Sequence, residues 1–260
     1  MFRHLLVRRD GPVEHVTLNR PEVRNAFNEE VVAELAQWAA GIAGDPGVRV
    51  VVLGGAGKVF SAGADATWMA RMAAASRDDN ERDALATTAM LRAINALPVV
   101  VIGRIHGAAL GGGSGLAAVC DIVVADDRAV FGFTEVKLGI LPAMISPFVL
   151  PKIGVSAARE LFLTGARFDA ARAQAIGLVH AVVPLEQLDA AVAKYVTEVL
   201  TAAPTGIAAA KALIPQVWGR TPEDVAALTA RAIAAQRGSA EGQDGLRAFL
   251  EKREPGWVVR

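Results

Sequence analysis

Gly107-Ala108-Ala109-Leu110-Gly111-Gly112-Gly113-Ser114-Gly115-Leu116 follows the apolar run Pro98-Val99-Val100-Val101-Ile102 and opens an alanine-rich helix. A glycine run between a strand and a helix leaves unpaired N–H donors at the positive end of the helix. Such donors suit an anion or a developing oxyanion. Close helix–strand packing would use the same glycines. A dinucleotide fingerprint fits poorly. Counted from Gly111, its last glycine falls on Leu116; counted from Gly113, the spacing ends at Ala118 and meets only the looser form. A hydrolase elbow around Ser114 would need glycine where Leu116 stands.

Working outward, strands and helices alternate on both sides of this turn. Val13 to Leu18 places Val16 and Leu18 on one face and His15 and Thr17 on the other. Asn28 reads as a helix N-cap, with Glu29 and Glu30 in the first turn where the dipole favours acids. Val31, Leu35, Trp38 and Ile42 then follow at helical spacing. Val48 to Leu53 is a nearly continuous apolar strand, as expected when both faces are buried. A helix is expected over about 78–95, and strands at Pro98 to Ile102 and Ile122 to Val124. This alternation predicts an α/β domain with parallel pairing.

Beyond about Val183 the pattern is helical only. Thr221 caps one helix, with Pro222 at its first position and Glu223 and Asp224 in its first turn. Another helix runs from about Ala240 to Arg253, with Leu246, Phe249 and Leu250 on one face. An apolar stripe of this kind needs a surface to cover it.

The chain has 260 residues, 53% hydrophobic and 21% charged, with 27 basic and 27 acidic side chains. That composition is globular, and a balanced charge argues against nucleic acid as a partner. The single cysteine, Cys120, forbids an internal disulfide and a multi-cysteine metal site, and His4, His15, His106 and His180 lack zinc spacing. The stretch from Ile105 to Cys120 is uncharged but only 16 residues long, short of a membrane span. No metal, no membrane association and a cytoplasmic location are therefore expected.

Two further segments carry candidate chemistry. Phe60-Ser61-Ala62-Gly63-Ala64-Asp65 follows a strand and a glycine loop, and its small residues let a ligand reach free backbone N–H groups. The preceding Gly54 to Lys58 is not a P-loop, because Val52 and Val59 occupy its defining positions. In Phe131-Gly132-Phe133-Thr134-Glu135, an extended backbone would give Glu135 the parity of Phe131 and Phe133. A carboxylate on an apolar face is either paired or functional, and desolvation raises its pKa toward acid/base use.

Together, in this order, the three segments resemble the enoyl-CoA hydratase/isomerase family, also called the crotonase family. Asn19-Arg20-Pro21 followed by Asn25-Ala26-Phe27 resembles its CoA-side motif, Phe60 to Asp65 its first oxyanion loop, and Gly107 to Gly113 its second. The resemblance implies a crotonase-like spiral of ββα units over residues 1–200 and a helical trimerisation region over 201–260. It implies a homotrimer or a dimer of trimers, with coenzyme A entering as part of the substrate and no permanently bound cofactor. The N–H groups of Ala64 and Gly112 would hold the thioester oxygen, and Glu135 would be the acid/base. Arg24, Ala26, Ala62, Ala64, Asp65, Gly111 and Gly112 would form the CoA-side site.

One departure is plain. Gly115 stands where two-glutamate hydratases carry a second carboxylate. Hydration by a single carboxylate, Δ3,Δ2-enoyl-CoA isomerisation, and a weakly catalytic acyl-CoA-binding role all remain open. A closer likeness, through Trp68-Met69, Arg71-Met72-Ala73, Pro142-Ala143 and Ile145-Ser146-Pro147-Phe148, is to bacterial methylglutaconyl-CoA hydratases of leucine degradation. It implies an acyl pocket of Trp68, Met69 and Met72, with Arg71 available to a distal carboxylate.

Overall fold

The computed structural model describes residues 2–258. The chain runs β1 (Leu5–Asp10), β2 (Val13–Leu18), α1 (Glu29–Ala43), β3 (Val50–Gly55), α2 (Ala66–Ala74), α3 (Arg77–Asn95), β4 (Val100–Ile105) and β5 (Ala108–Leu110). It continues through α4 (Gly112–Val119), β6 (Ile122–Asp126), β7 (Val130–Gly132), α5 (Ser146–Thr164), β8 (Arg167–Asp169), α6 (Ala170–Ala175) and β9 (Ala181–Val183). Four helices close it: α7 (Leu188–Thr201), α8 (Pro204–Val217), α9 (Pro222–Gly238) and α10 (Ala240–Glu251).

One six-stranded sheet has the order β1-β2-β3-β4-β6-β9, and a three-stranded sheet has the order β5-β7-β8. After the antiparallel β1–β2 hairpin, every neighbour in the large sheet pairs in parallel. The apolar run of β3 shows why. Val51 and Leu53 enter the main core with α1 and α3, while Val50 and Val52 enter a second core with Leu188 and Val192 of α7. Both faces of this strand are dry, as its unbroken hydrophobicity requires. The strand starts two residues later than the apolar run, at Val50, and Arg49 instead bonds the carbonyls of Leu200, Ala202 and Trp257.

The helix starts follow their local chemistry. Asn28 accepts a bond from the Val31 amide, and Thr221 accepts one from Asp224. The helices after residue 203 leave large apolar side chains in the open: Ile214, Trp218, Leu246, Phe249 and Leu250 are all exposed. No helix of the described residues is long and apolar enough to cross a membrane.

Candidate active site

Three loops meet where the small sheet leaves the large one. The first is Ser61 to Asp65. Phe27 N donates to Gly63 O at 2.7 Å, and Asp65 N donates to Phe27 O at 2.7 Å. These two bonds bracket Ala64 in a parallel bridge, so its own N–H points away from Phe27. It donates no hydrogen bond among the described residues. Gly63 has φ 91°, and a Cβ there would stand 2.6 Å from Leu110 O. Only glycine lets the two loops approach this closely.

The second loop ends at Gly111, whose N–H bonds Gly132 O at 2.8 Å. Gly112 is the first residue of α4, so its amide has no acceptor within the helix. A Cβ on Gly63 would lie 3.5 Å from Gly112 N, which places this donor next to Ala64. Two free amides thus lie close together, that of Gly112 at the N-terminus of α4 with its favourable dipole. Ser114 is not exposed for chemistry: its hydroxyl bonds Ala109 O at 2.6 Å and holds β5 against α4.

The third element differs from the extended reading. The strand β7 stops at Gly132, and Glu135 begins a 3-10 turn over Glu135–Leu138 that Gly139 closes with φ 74°. Parity with Phe131 and Phe133 is therefore lost, because Thr134 turns the backbone at φ −90°, ψ 4°. The carboxylate nevertheless arrives at the site. Glu135 Oε1 would be 3.4 Å from a Cβ on Gly111, and Oε2 is buried with no hydrogen-bond partner. No ion pair with Lys137 forms. Burial pushes the Glu135 carboxyl above its ordinary range.

These groups line one cavity of about 150 Å³. Ala62, Ala64, Gly111, Gly112 and Glu135 all face it. Trp68 and Met69 of α2, with Thr87 and Leu91 of α3, form one wall; Leu138, Ile140, Leu141, Pro142, Met144 and Ile145 form another. Where a second carboxylate would stand, a Cβ on Gly115 would meet Ile145 Cγ2 at 2.1 Å. The space is already filled by a methyl group.

Several expected residues lie elsewhere. Met72 is turned away from the cavity and packs partly buried against the main core. Asp65 is consumed structurally: Oδ1 caps α2 through Thr67 and Trp68, and Oδ2 pairs with Arg20 at 3.0 Å. Arg71 points outward and pairs with Glu29 at 2.6 Å. Arg24 and Ala26, expected along the CoA arm, are not among the residues lining this cavity; Arg24 O accepts from Ala62 N at 2.9 Å.

Sequence reasoning missed Asn25 and Thr87. Asn25 adopts φ 54°, and its side chain accepts from Arg20 N and donates to Ala56 O and Val59 O. It staples the loop before α1 to the loop that carries Ala64. Its place in Asn25-Ala26-Phe27 was the available signal. A threonine inside a helix gives none.

A family model for enoyl-CoA hydratase/isomerase matches residues 8–260. A protein named crotonyl-CoA hydratase from Syntrophomonas wolfei is 30% identical over 261 residues, covering 100% of this chain and 99% of that one. The crystal structure of an enoyl-CoA hydratase from Shewanella pealeana superposes with a TM-score of 0.95 at 36% identity, covering 99% of this chain and 97% of the other. An enoyl-CoA hydratase/isomerase from Marinobacter aquaeolei gives 0.93 at 38% identity, covering 98% and 99%. The chain belongs to the enoyl-CoA hydratase/isomerase family of enzymes and has the crotonase fold.

Proposed function

We propose that this member of the family adds water across the double bond of an α,β-unsaturated acyl-CoA thioester. The observation that carries the reading is the half-buried Glu135 carboxyl lining the same cavity as the free amides of Ala64 and Gly112. The thioester oxygen would accept from both amides. Glu135 would take a proton from water as the water oxygen attacks C3, and the electron pair of the double bond would move onto the thioester oxygen as an enolate. The amides stabilise that charge more than they stabilise the substrate. Glu135, now protonated, would return its proton to C2, which balances the addition.

The coenzyme A arm would leave past Ala62 and the backbone of Arg24 that bonds it. A carboxylated acyl group such as methylglutaconyl fits less well than an uncharged one. Among the described residues no cationic side chain lines the cavity, and Arg71 is held by Glu29. Isomerisation is the second reading, favoured by Ile145 filling the place of a second carboxylate, since moving a proton between C2 and C4 needs one base. The exposed apolar faces of α8 to α10 support an assembly with further copies of the chain, a trimer or a dimer of trimers.

A panel of 2-enoyl- and 3-enoyl-CoA substrates with product mass analysis separates the readings. Hydration removes the conjugated absorbance and adds the mass of water. Appearance of conjugated absorbance from a 3-enoyl thioester, with no added mass, would overturn it in favour of isomerisation.

A further inference from the structure

The apolar cavity is closed on one side and open on the other. Trp68, Leu91 and Ile145 in its wall are buried, whereas Leu138, Ile140 and Leu141 are all more than half exposed. A coenzyme A arm needs a way to solvent, so the acyl tail is left the closed side, where Trp68 is the bulkiest side chain. Trp68 is also held at both ends. Its backbone N–H donates to Asp65 Oδ1 at 3.3 Å in the first turn of α2, which follows directly on the Ala64 donor. Its indole N–H donates to Asp83 Oδ1 of α3 at 3.2 Å. Asp83 is not one of the residues lining the cavity, and bears on it through this ring. A ring packed in the core and tied to two elements has a fixed place relative to the thioester oxygen.

We infer that Trp68 is the stop that sets acyl length, and that Asp83 is the positioning residue that holds it there. The inference rests on the acyl-CoA reading above. A dry apolar cavity of about 150 Å³ is the size that takes one benzene-sized molecule, so the site admits acyl groups of about six carbons or fewer. Up to that limit each added methylene is buried and tightens binding. Beyond it a further methylene has to displace the ring, and a well-packed wall resists such overfilling.

Calorimetric titration with saturated butanoyl-, hexanoyl-, octanoyl- and decanoyl-CoA tests this without turnover, since a saturated chain cannot be hydrated. Two added methylenes should tighten binding about tenfold from butanoyl- to hexanoyl-CoA. Octanoyl- and decanoyl-CoA should bind no more tightly than hexanoyl-CoA. Trp68→Ala clears the ring, so octanoyl-CoA should bind about tenfold more tightly than hexanoyl-CoA. Trp68→Leu, which keeps an apolar side chain in the wall, should move the limit the same way and decides the point if the alanine variant does not fold. Asp83→Asn keeps an oxygen acceptor for the indole N–H and should keep the wild-type length profile. Asp83→Leu leaves that N–H unpaired and should let octanoyl-CoA bind more tightly than hexanoyl-CoA. Affinity that climbs without a break to decanoyl-CoA in the wild type, or a limit that stays at hexanoyl-CoA in the Trp68 variants, would overturn the role of Trp68 while leaving the acyl-CoA reading intact. A limit that stays at hexanoyl-CoA in Asp83→Leu would overturn the role of Asp83. Failure of every thioester to bind would overturn the inference and the acyl-CoA reading together.

Discussion

Replacing Gly115 with alanine should destabilise the protein, although helix interiors ordinarily favour alanine. The new Cβ would stand 2.1 Å from Ile145 Cγ2 and 2.8 Å from Ile145 Cβ, against about 3.5 Å for an unstrained carbon contact. Ile145 is 3% exposed and starts α5, so it has little room to retreat. Overpacking of a tight core costs about 1–3 kcal/mol. Alanine in place of glycine returns roughly 0.5–1 kcal/mol of helix propensity. The net loss should be about 1–2 kcal/mol, read as a lower urea midpoint at unchanged slope. Ile145→Ala alone should cost about 2–5 kcal/mol. The double variant should cost less than the sum by about 1 kcal/mol or more, because Cγ2 no longer obstructs the new methyl. A Gly115→Ala protein as stable as the wild type, or strictly additive costs, would show that Ile145 does not occupy this space. The reading that an Ile145 methyl fills the place of a second carboxylate would then fail.

Three further outcomes follow. Because burial raises the Glu135 pKa above its ordinary 4.5, kcat/KM should rise with pH through a midpoint above that value; the folded protein binds this proton more tightly than the unfolded chain, so Glu135→Gln should gain stability relative to wild type as pH rises through the window and gain nothing below it. A midpoint at or below 4.5 would contradict the assigned burial. Asn25→Ala should cost about 2–4 kcal/mol in urea unfolding, since it strands the Arg20 amide and two half-buried carbonyls and leaves alanine at φ 54°; a loss under half a kilocalorie would dismiss the staple. Light scattering at micromolar concentration should report a multiple of 27.1 kDa, and a monomeric mass would leave Phe249, Leu250 and Trp218 without the partner proposed for them.

The alternation of elements was legible because burial on both faces writes itself into β3 as an unbroken apolar run. The caps at Asn28 and Thr221 were legible because they are local hydrogen bonds with a fixed residue preference. Glu135 was located through an incorrect intermediate step. Its apolar neighbours suggested a strand, but the turn set by Thr134 and Gly139 decides its direction, and turn geometry is weakly coded. Met72 shares α2, and Asp65 a loop, with cavity residues, yet one helical step or one cap bond turns each of them away. Gly115 was legible as a departure, but its cause, the Ile145 methyl, comes from a residue thirty positions downstream. Thr87 carried no signal, since its place in the cavity wall comes only from the tertiary packing of α3.

The central claim is that Glu135 moves the proton while Ala64 and Gly112 hold the thioester oxygen. Glu135→Gln keeps the shape of the side chain and removes the transferable proton, so steady-state hydration of crotonyl-CoA by the folded variant tests it most directly. Turnover should fall by about 10²–10⁴, the usual contribution of a positioned acid/base, with thioester binding retained. Turnover within a few-fold of the wild type would contradict the account.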